Sequence, residues 1–198
     1  MIASILRYGL AIAMATAAIT PAWAAAPFGL KMGDKNLDFG DRWDRPNWFW
    51  LNSVPMPDPR FNRYAVLFGS SGLCRILVGT PYFPDDRTGR DARTAFDQIK
   101  SEIDGLYGNG RYWNKIVNGS PWSADSDFVM SIAREQREYI AVWSSELGSK
   151  MRDDLVYIEL KIVGHDGYKA ILTVSYEFKN TDICADEAAA ARRAASKD

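Results

Sequence analysis

A chain of 198 residues with 24 basic and 25 acidic side chains carries a formal net charge of −1. No run of like charge stands out. The sequence therefore offers no basic face for nucleic acid or for an anionic membrane surface. Two cysteines and one histidine are too few for an ordinary zinc site, and there is no phosphate-cradling or dinucleotide glycine motif. Neither a metal nor a cofactor is expected.

The first 24 residues read as a signal peptide. Arg7 precedes an apolar run over about residues 8–19, followed by Pro21 and small residues. Ala22-Trp23-Ala24 and Ala24-Ala25-Ala26 both fit the small-x-small cleavage pattern, so cleavage is expected after Ala24 or Ala26. The run is shorter than the ~20 apolar residues a spanning helix needs. No cysteine lies near the cleavage point for lipid attachment, and no later stretch is apolar enough to span a bilayer. The product should be periplasmic or secreted, without stable membrane insertion. Cleavage after Ala24 leaves 174 residues, with 23 basic against 25 acidic groups once Arg7 is removed. That length fits one domain with a substantial core.

Residues 25–63 show no helical or strand period and are expected to be irregular. Within them "RPNWFWLNSVPMPDPRF", residues 45–61, is the most unusual stretch. If extended, it sets Trp48 and Trp50 on one side and Phe49 and Leu51 on the other. Pro55, Pro57 and Pro59 then favour an exposed polyproline-like run.

From residue 64 the pattern sharpens. "RYAVLFGSSGLCRILVG" reads as two strands joined at Ser70-Ser71-Gly72. Val66 and Phe68 oppose Ala65 and Leu67; Leu73, Arg75 and Leu77 oppose Cys74, Ile76 and Val78. Both faces are largely apolar, which places this hairpin centrally in a sheet. A helix is predicted over residues 90–107, with Phe96, Ile99, Ile103, Leu106 and Tyr107 on one stripe and Gly108 as its stop. A second helix should start near Ser123 or Asp125 and end near Arg137. There the period becomes two, with Tyr139, Ala141 and Trp143 alternating with Ile140 and Val142. A long hairpin follows. Val156, Ile158, Leu160 and Ile162 alternate with Tyr157, Glu159 and Lys161; after the "GHDG" turn, Ala170, Leu172, Val174, Tyr176 and Phe178 alternate with Thr173, Ser175 and Glu177. Residues 185–198 are Ala-rich without an apolar stripe, as in a frayed helix or flexible tail.

Hairpin, helix, helix, strand, hairpin argues for an α+β domain over residues 64–184. It should hold an antiparallel sheet of about five strands with two helices packed on one face. In an oxidising compartment Cys74 and Cys184 should form one disulfide, tying the chain's C-terminal end to the first hairpin.

Several short stretches together resemble an uncharacterised family of small exported bacterial proteins. They are the start "PFGL-x-x-G", then "VPMPDPRFNRYAV", "GLCRI", "AREQREYIAVW" and the closing "YEFKNTDIC", a YEF-x-N-x-x-x-C pattern. The likeness covers most of residues 27–184. It implies export and an α+β fold and brings no catalytic or ligand residues. The family pattern places a glycine-started helix after FGL, where "GDKNLDFGDRWDRPNW" is a poor helix former.

Little chemistry is visible. His165 sits in a hairpin turn, where a solvated residue is commoner than a base. Asp85-Asp86, Asp153-Asp154, Glu135 and Glu138 are the acids available for glycan hydrolysis, but the adjacent pairs fall in turn-like segments. The remaining signal is aromatic. Trp43, Trp48 and Trp50 in the irregular segment, and Trp113 and Trp122 between the two helices, could present a partner-binding surface; Trp143 reads as core. The expected function is a non-enzymatic periplasmic module of inhibitor, immunity or assembly-accessory type, binding a protein partner or envelope component. The alternative is a small cell-wall-directed hydrolase using paired carboxylates.

Overall fold

The computed structural model describes residues 26–166 and 168–195; the expected signal peptide lies outside them. Eight strands form one antiparallel sheet in the order β1-β2-β3-β4-β8-β7-β6-β5. They are β1 Phe39–Arg42, β2 Trp48–Leu51, β3 Arg63–Gly69, β4 Gly72–Gly79, β5 Arg111–Ile116, β6 Arg137–Ser144, β7 Leu155–Gly164 and β8 Ala170–Phe178. Three helices accompany them: α1 Arg90–Tyr107, α2 Phe128–Ala133 and α3 Thr181–Ala195. The α+β class and the antiparallel sheet hold, but the sheet has eight strands rather than about five. The added strands, β1, β2 and β5, lie at or next to the two edges. An edge strand is covered on fewer sides, so its sequence need not show a clean alternation.

Residues 25–63 are accordingly not irregular throughout. The "WFWL" run is β2, paired to β3 with Trp48 opposite Leu67 and Trp50 opposite Ala65. No helix follows the FGL motif; a turn and an irregular stretch over residues 31–38 lead to β1. Phe28 of that motif is buried, edge-on to Phe61, Tyr64 and Tyr176.

The inner face of the sheet is a row of large side chains in register. Val66, Ile76, Tyr176, Ile158 and Trp143 face one another across β3, β4, β8, β7 and β6, and all five are fully buried. The two predicted helices cover this face against β6, β7 and β8. α1 has the predicted bounds and buries Ala92, Phe96, Ile99, Ile103 and Tyr107. The Asp86 carboxylate accepts the Ala92 N–H at 2.9 Å, placing an anion where the helix dipole favours one. α2 is a shorter helix than expected, preceded by a 3₁₀ turn at Asp125–Asp127.

Two bulges change which way side chains point. Between the Leu67↔Arg75 and Phe68↔Leu73 pairs, β4 carries one extra residue, Cys74. Leu73, Ile76 and Val78 therefore join the inner core, while Cys74 lies in a separate outer cluster with Leu67, Cys184 and Ala188. Strict alternation put Cys74 with Ile76; the bulge re-aims it. Likewise β7 has Val156 as an extra residue between Leu155↔Phe178 and Tyr157↔Glu177. Val156 is exposed and Leu155 is buried in its place.

The Ala-rich C-terminal segment is α3, lying on the outer face against β3 and β4. It buries only Cys184 and Ala188. The Cys74–Cys184 disulfide fastens it. Polar ties add to this: Asn180 donates to the Leu73 carbonyl at 3.0 Å, Thr181 donates to the Cys74 carbonyl at 2.7 Å, and Ser70 donates its N–H and hydroxyl to Glu187. The Ser70 bonds hold the Glu187 carboxyl below its usual range. The "GLC" and "NTDIC" motifs thus meet in space. Gly72 has a positive φ, and a Cβ there would come within 2.3 Å of the Gly33 carbonyl oxygen, so the "PFGL-x-x-G" start closes on the same corner.

Candidate binding surface

The turn between β1 and β2 brings three of the expected tryptophans together. Two backbone bonds close it: Trp43 donates to the Trp48 carbonyl and Trp48 to the Arg45 carbonyl, at 3.0 and 3.1 Å. Asn47 sits in the left-handed region, a conformation Asn tolerates better than most residues. The ring centroids of Trp43 and Trp50 are 4.7 Å apart with planes tilted by 31°, and Trp48 meets Trp43 edge-on at 5.5 Å. All three rings are half-buried. Phe49 and Leu51 turn inward to the main core while Trp48 packs against the outer cluster, so the alternation predicted for this segment is present.

Arginines surround the trio. The Arg45 guanidinium lies 4.8 Å from the centre of the Trp43 ring and that of Arg75 5.8 Å from Trp48, within reach of cation–π attraction. A cleft of about 800 Å³ opens beside Trp48, lined by Asp44, Arg45, Pro46 and Arg75 and by Ala188, Arg192 and Ala195 of α3.

Trp113 and Trp122 do not join this corner. Trp113 is in β5 rather than in a connecting loop. It faces the same side as Trp48 but lies six strand steps away, about 29 Å at 4.8 Å per step. Trp122 follows β5 in the connection to α2, half-buried, with its N–H donated to the Ser120 hydroxyl at 3.2 Å.

Next to the tryptophan corner the outer face carries a polar ladder whose members the alternation set outward without showing that they meet. Arg75 donates to the Ser175 hydroxyl at 2.7 Å and pairs with Glu177 at 3.0 Å. Glu159 pairs with Lys161 at 3.0 Å. Glu177 and Glu159 are diagonal neighbours on β8 and β7, because Glu159 opposes Ser175. Burial raises the Glu177 carboxyl above its usual range, with Arg75 opposing and Glu159 adding to the shift. Burial also pushes the Tyr157 hydroxyl up to about 12, helped by the two carboxylates. The clue in the sequence was the Arg75, Glu159, Glu177 set at outward positions of three strands; their adjacency came only from the β4–β8 pairing.

Of the acids first considered for hydrolysis, the Asp pairs have other roles, while Glu135 and Glu138 line one cleft together with Glu159. Asp86 serves α1, Asp154 pairs with Lys179 and Asp153 with Arg152. Asp85, Asp153, Asp154 and Glu135 occupy positive-φ positions in turns. Glu138 faces Lys115 across the β5–β6 pair. His165 is exposed, its ring 5.4 Å from that of Tyr82. Among the described residues no group of three His, Cys, Asp or Glu side chains is placed to hold a metal ion. Comparison with protein-family models, with curated proteins and with solved structures finds no match to this chain.

Proposed function

We propose that the protein is a non-enzymatic binding module of the periplasm or secreted space. It would engage a protein partner or an envelope component through the Trp43–Trp48–Trp50 corner. The supporting observation is that three tryptophans gather on the outer face, half-exposed, with Arg45 and Arg75 against their rings. Tryptophan and arginine are enriched in binding hot spots, tryptophan because its rigid ring buries large area and arginine because its planar fork is pre-organised for several hydrogen bonds. Glu159 and Glu177, the two carboxylates set diagonally on the outer face, each already have a cationic partner, which disfavours their use as a hydrolytic pair.

The test is retention of envelope material on the immobilised protein. The Trp43→Ala/Trp50→Ala double variant should lose a component that the wild type retains, with its thermal unfolding still cooperative. Equal retention by a folded double variant removes the corner from the proposal.

Export has support from the disulfide, since bridges persist outside reducing compartments, and from the resemblance described above. Among the described residues no helix is long and apolar enough to cross a membrane. Ala26 is buried and its carbonyl accepts the Gly29 N–H at 2.9 Å, so removing it would open a turn beside Phe28. Cleavage after Ala24 is therefore favoured over cleavage after Ala26. Intact-mass measurement of the exported protein should give a chain starting at Ala25; a chain starting at Pro27 rejects this choice.

A further inference from the structure

We infer that the cleft between β2 and α3 is a site for a carboxylate-bearing saccharide, its ring against Trp48 and its carboxylate between Arg45 and Arg192. This rests on the binding reading of the same corner and gives it a ligand class. Trp48 is the shared wall: it belongs to the aromatic trio and lines the cleft. At about 800 Å³ the cleft falls within the range of roughly 300–1,000 Å³ common for small-ligand sites.

The charge of the lining is one-sided. Arg45, Arg75 and Arg192 face a single acid, Asp44. Arg75 is already engaged by Glu177 and Ser175. Among the described residues neither Arg45 nor Arg192 is in an ion pair. Two guanidiniums without carboxylate partners, one from the β1–β2 turn and one from α3, offer planar forks that match a carboxylate.

The apolar part of the lining separates a sugar from a peptide. A peptide partner anchors itself by inserting large side chains into pockets. Here the α3 wall offers only Ala188 and Ala195, and the opposite wall Pro46 and the Trp48 ring. A cleft lined by an aromatic ring and low alanine shoulders suits the C–H face of a pyranose better than a large side-chain anchor. Rim arginines then select for the acidic sugar.

The probes are a trisaccharide of galacturonic acid, the neutral trisaccharide maltotriose, and tri-glutamate, titrated calorimetrically against the purified protein at low salt. The galacturonate probe should bind at least about tenfold more tightly than either control, and Arg192→Gln or Arg45→Gln should each weaken it about tenfold, as loss of a charge-assisted pair does. Equal binding of maltotriose shows a neutral stacking surface and overturns the anionic assignment. Equal binding of tri-glutamate shows a charge site without sugar selection and overturns the saccharide assignment. Absence of binding by all three also overturns it. The retention experiment with the Trp43→Ala/Trp50→Ala variant then separates the two levels: if retention still depends on those rings, only the ligand class falls; if it does not, the binding reading falls with it.

Discussion

Replacing Cys74 and Cys184 together by serine should lower the unfolding free energy by about 3–5 kcal/mol in urea, judged against the oxidised wild type. The bridge spans a sequence separation of 110 residues. Chain-entropy estimates for loops near 100 residues reach about 4.7 kcal/mol, and residual structure in the denatured chain reduces the measured value. The loss should be uneven across the fold. α3 buries only Cys184 and Ala188, so without the bridge it depends on Asn180, Thr181 and Glu187 for attachment. Hydrogen exchange in α3 of the double-serine variant should approach that of an unprotected helix, while β4, β7 and β8 keep most of their protection. Unchanged protection in α3 would show that those polar contacts alone hold the helix, and that the bridge does not set its position.

The second large effect separates the tryptophans. Trp143→Ala should destabilise by about 3–5 kcal/mol, as for other large aromatic deletions in a core. Trp143 is fully buried on the inner face, and its indole N–H donates to Asp104 at 3.0 Å. That carboxylate oxygen also accepts the Gly110 N–H at 2.8 Å, so one side chain secures both the helix end and the strand behind it. Gly110 lies so close to the indole that a Cβ there would fall 2.3 Å from it. Trp50→Ala, by contrast, removes a half-exposed ring and should cost about 1 kcal/mol or less, in the range of positions that do not open a core cavity. Urea midpoints of the two single variants decide the matter. A cost at Trp50 comparable to that at Trp143 would make the outer trio a piece of core and leave the proposed surface without its aromatic element.

These contrasts bear on what the amino-acid sequence discloses. α1 was legible to the residue, because Phe96, Ile99, Ile103 and Tyr107 keep the helical period and Gly108 ends it. β6, β7 and β8 were legible because their alternation reflects burial against α1 and α2, and β3 and β4 because two apolar β-rich runs flank the Ser70-Ser71-Gly72 turn. β1, β2 and β5 were not: β1 is four residues long, β5 is mostly exposed, and β2 carries aromatic rings on both faces. The facing of Cys74 and Val156 was wrong for one shared reason. A bulge shifts the period by one residue and leaves no composition signature. The segregation of Trp48 and Trp50 from Phe49 followed from local extension alone. The cleft did not, since its second wall is a helix more than 130 residues further along the chain. Glu159 and Glu177 were visible only as outward positions, because their relation to Arg75 depends on β8 pairing with β4.

That last pairing also constrains when the protein can exist. The sheet is two four-strand meanders, β1 to β4 and β5 to β8, and the seam between them is β4 against β8. A chain delivered from its N-terminus, whether from the ribosome or through a membrane pore, presents the first meander long before residues 170–178 emerge. Until then the Gly72–Gly79 edge is an open row of amide and carbonyl groups, able to pair with any passing strand. Cys74 waits over the same interval, since its partner arrives after β8. The last seventh or so of the chain to appear carries both the hydrogen bonds that close the seam and the sulfur that locks it. A truncation between β7 and β8 would therefore leave an unsealed sheet edge with a free thiol at Cys74, a species more prone to aggregate than the loss of a short C-terminal segment suggests.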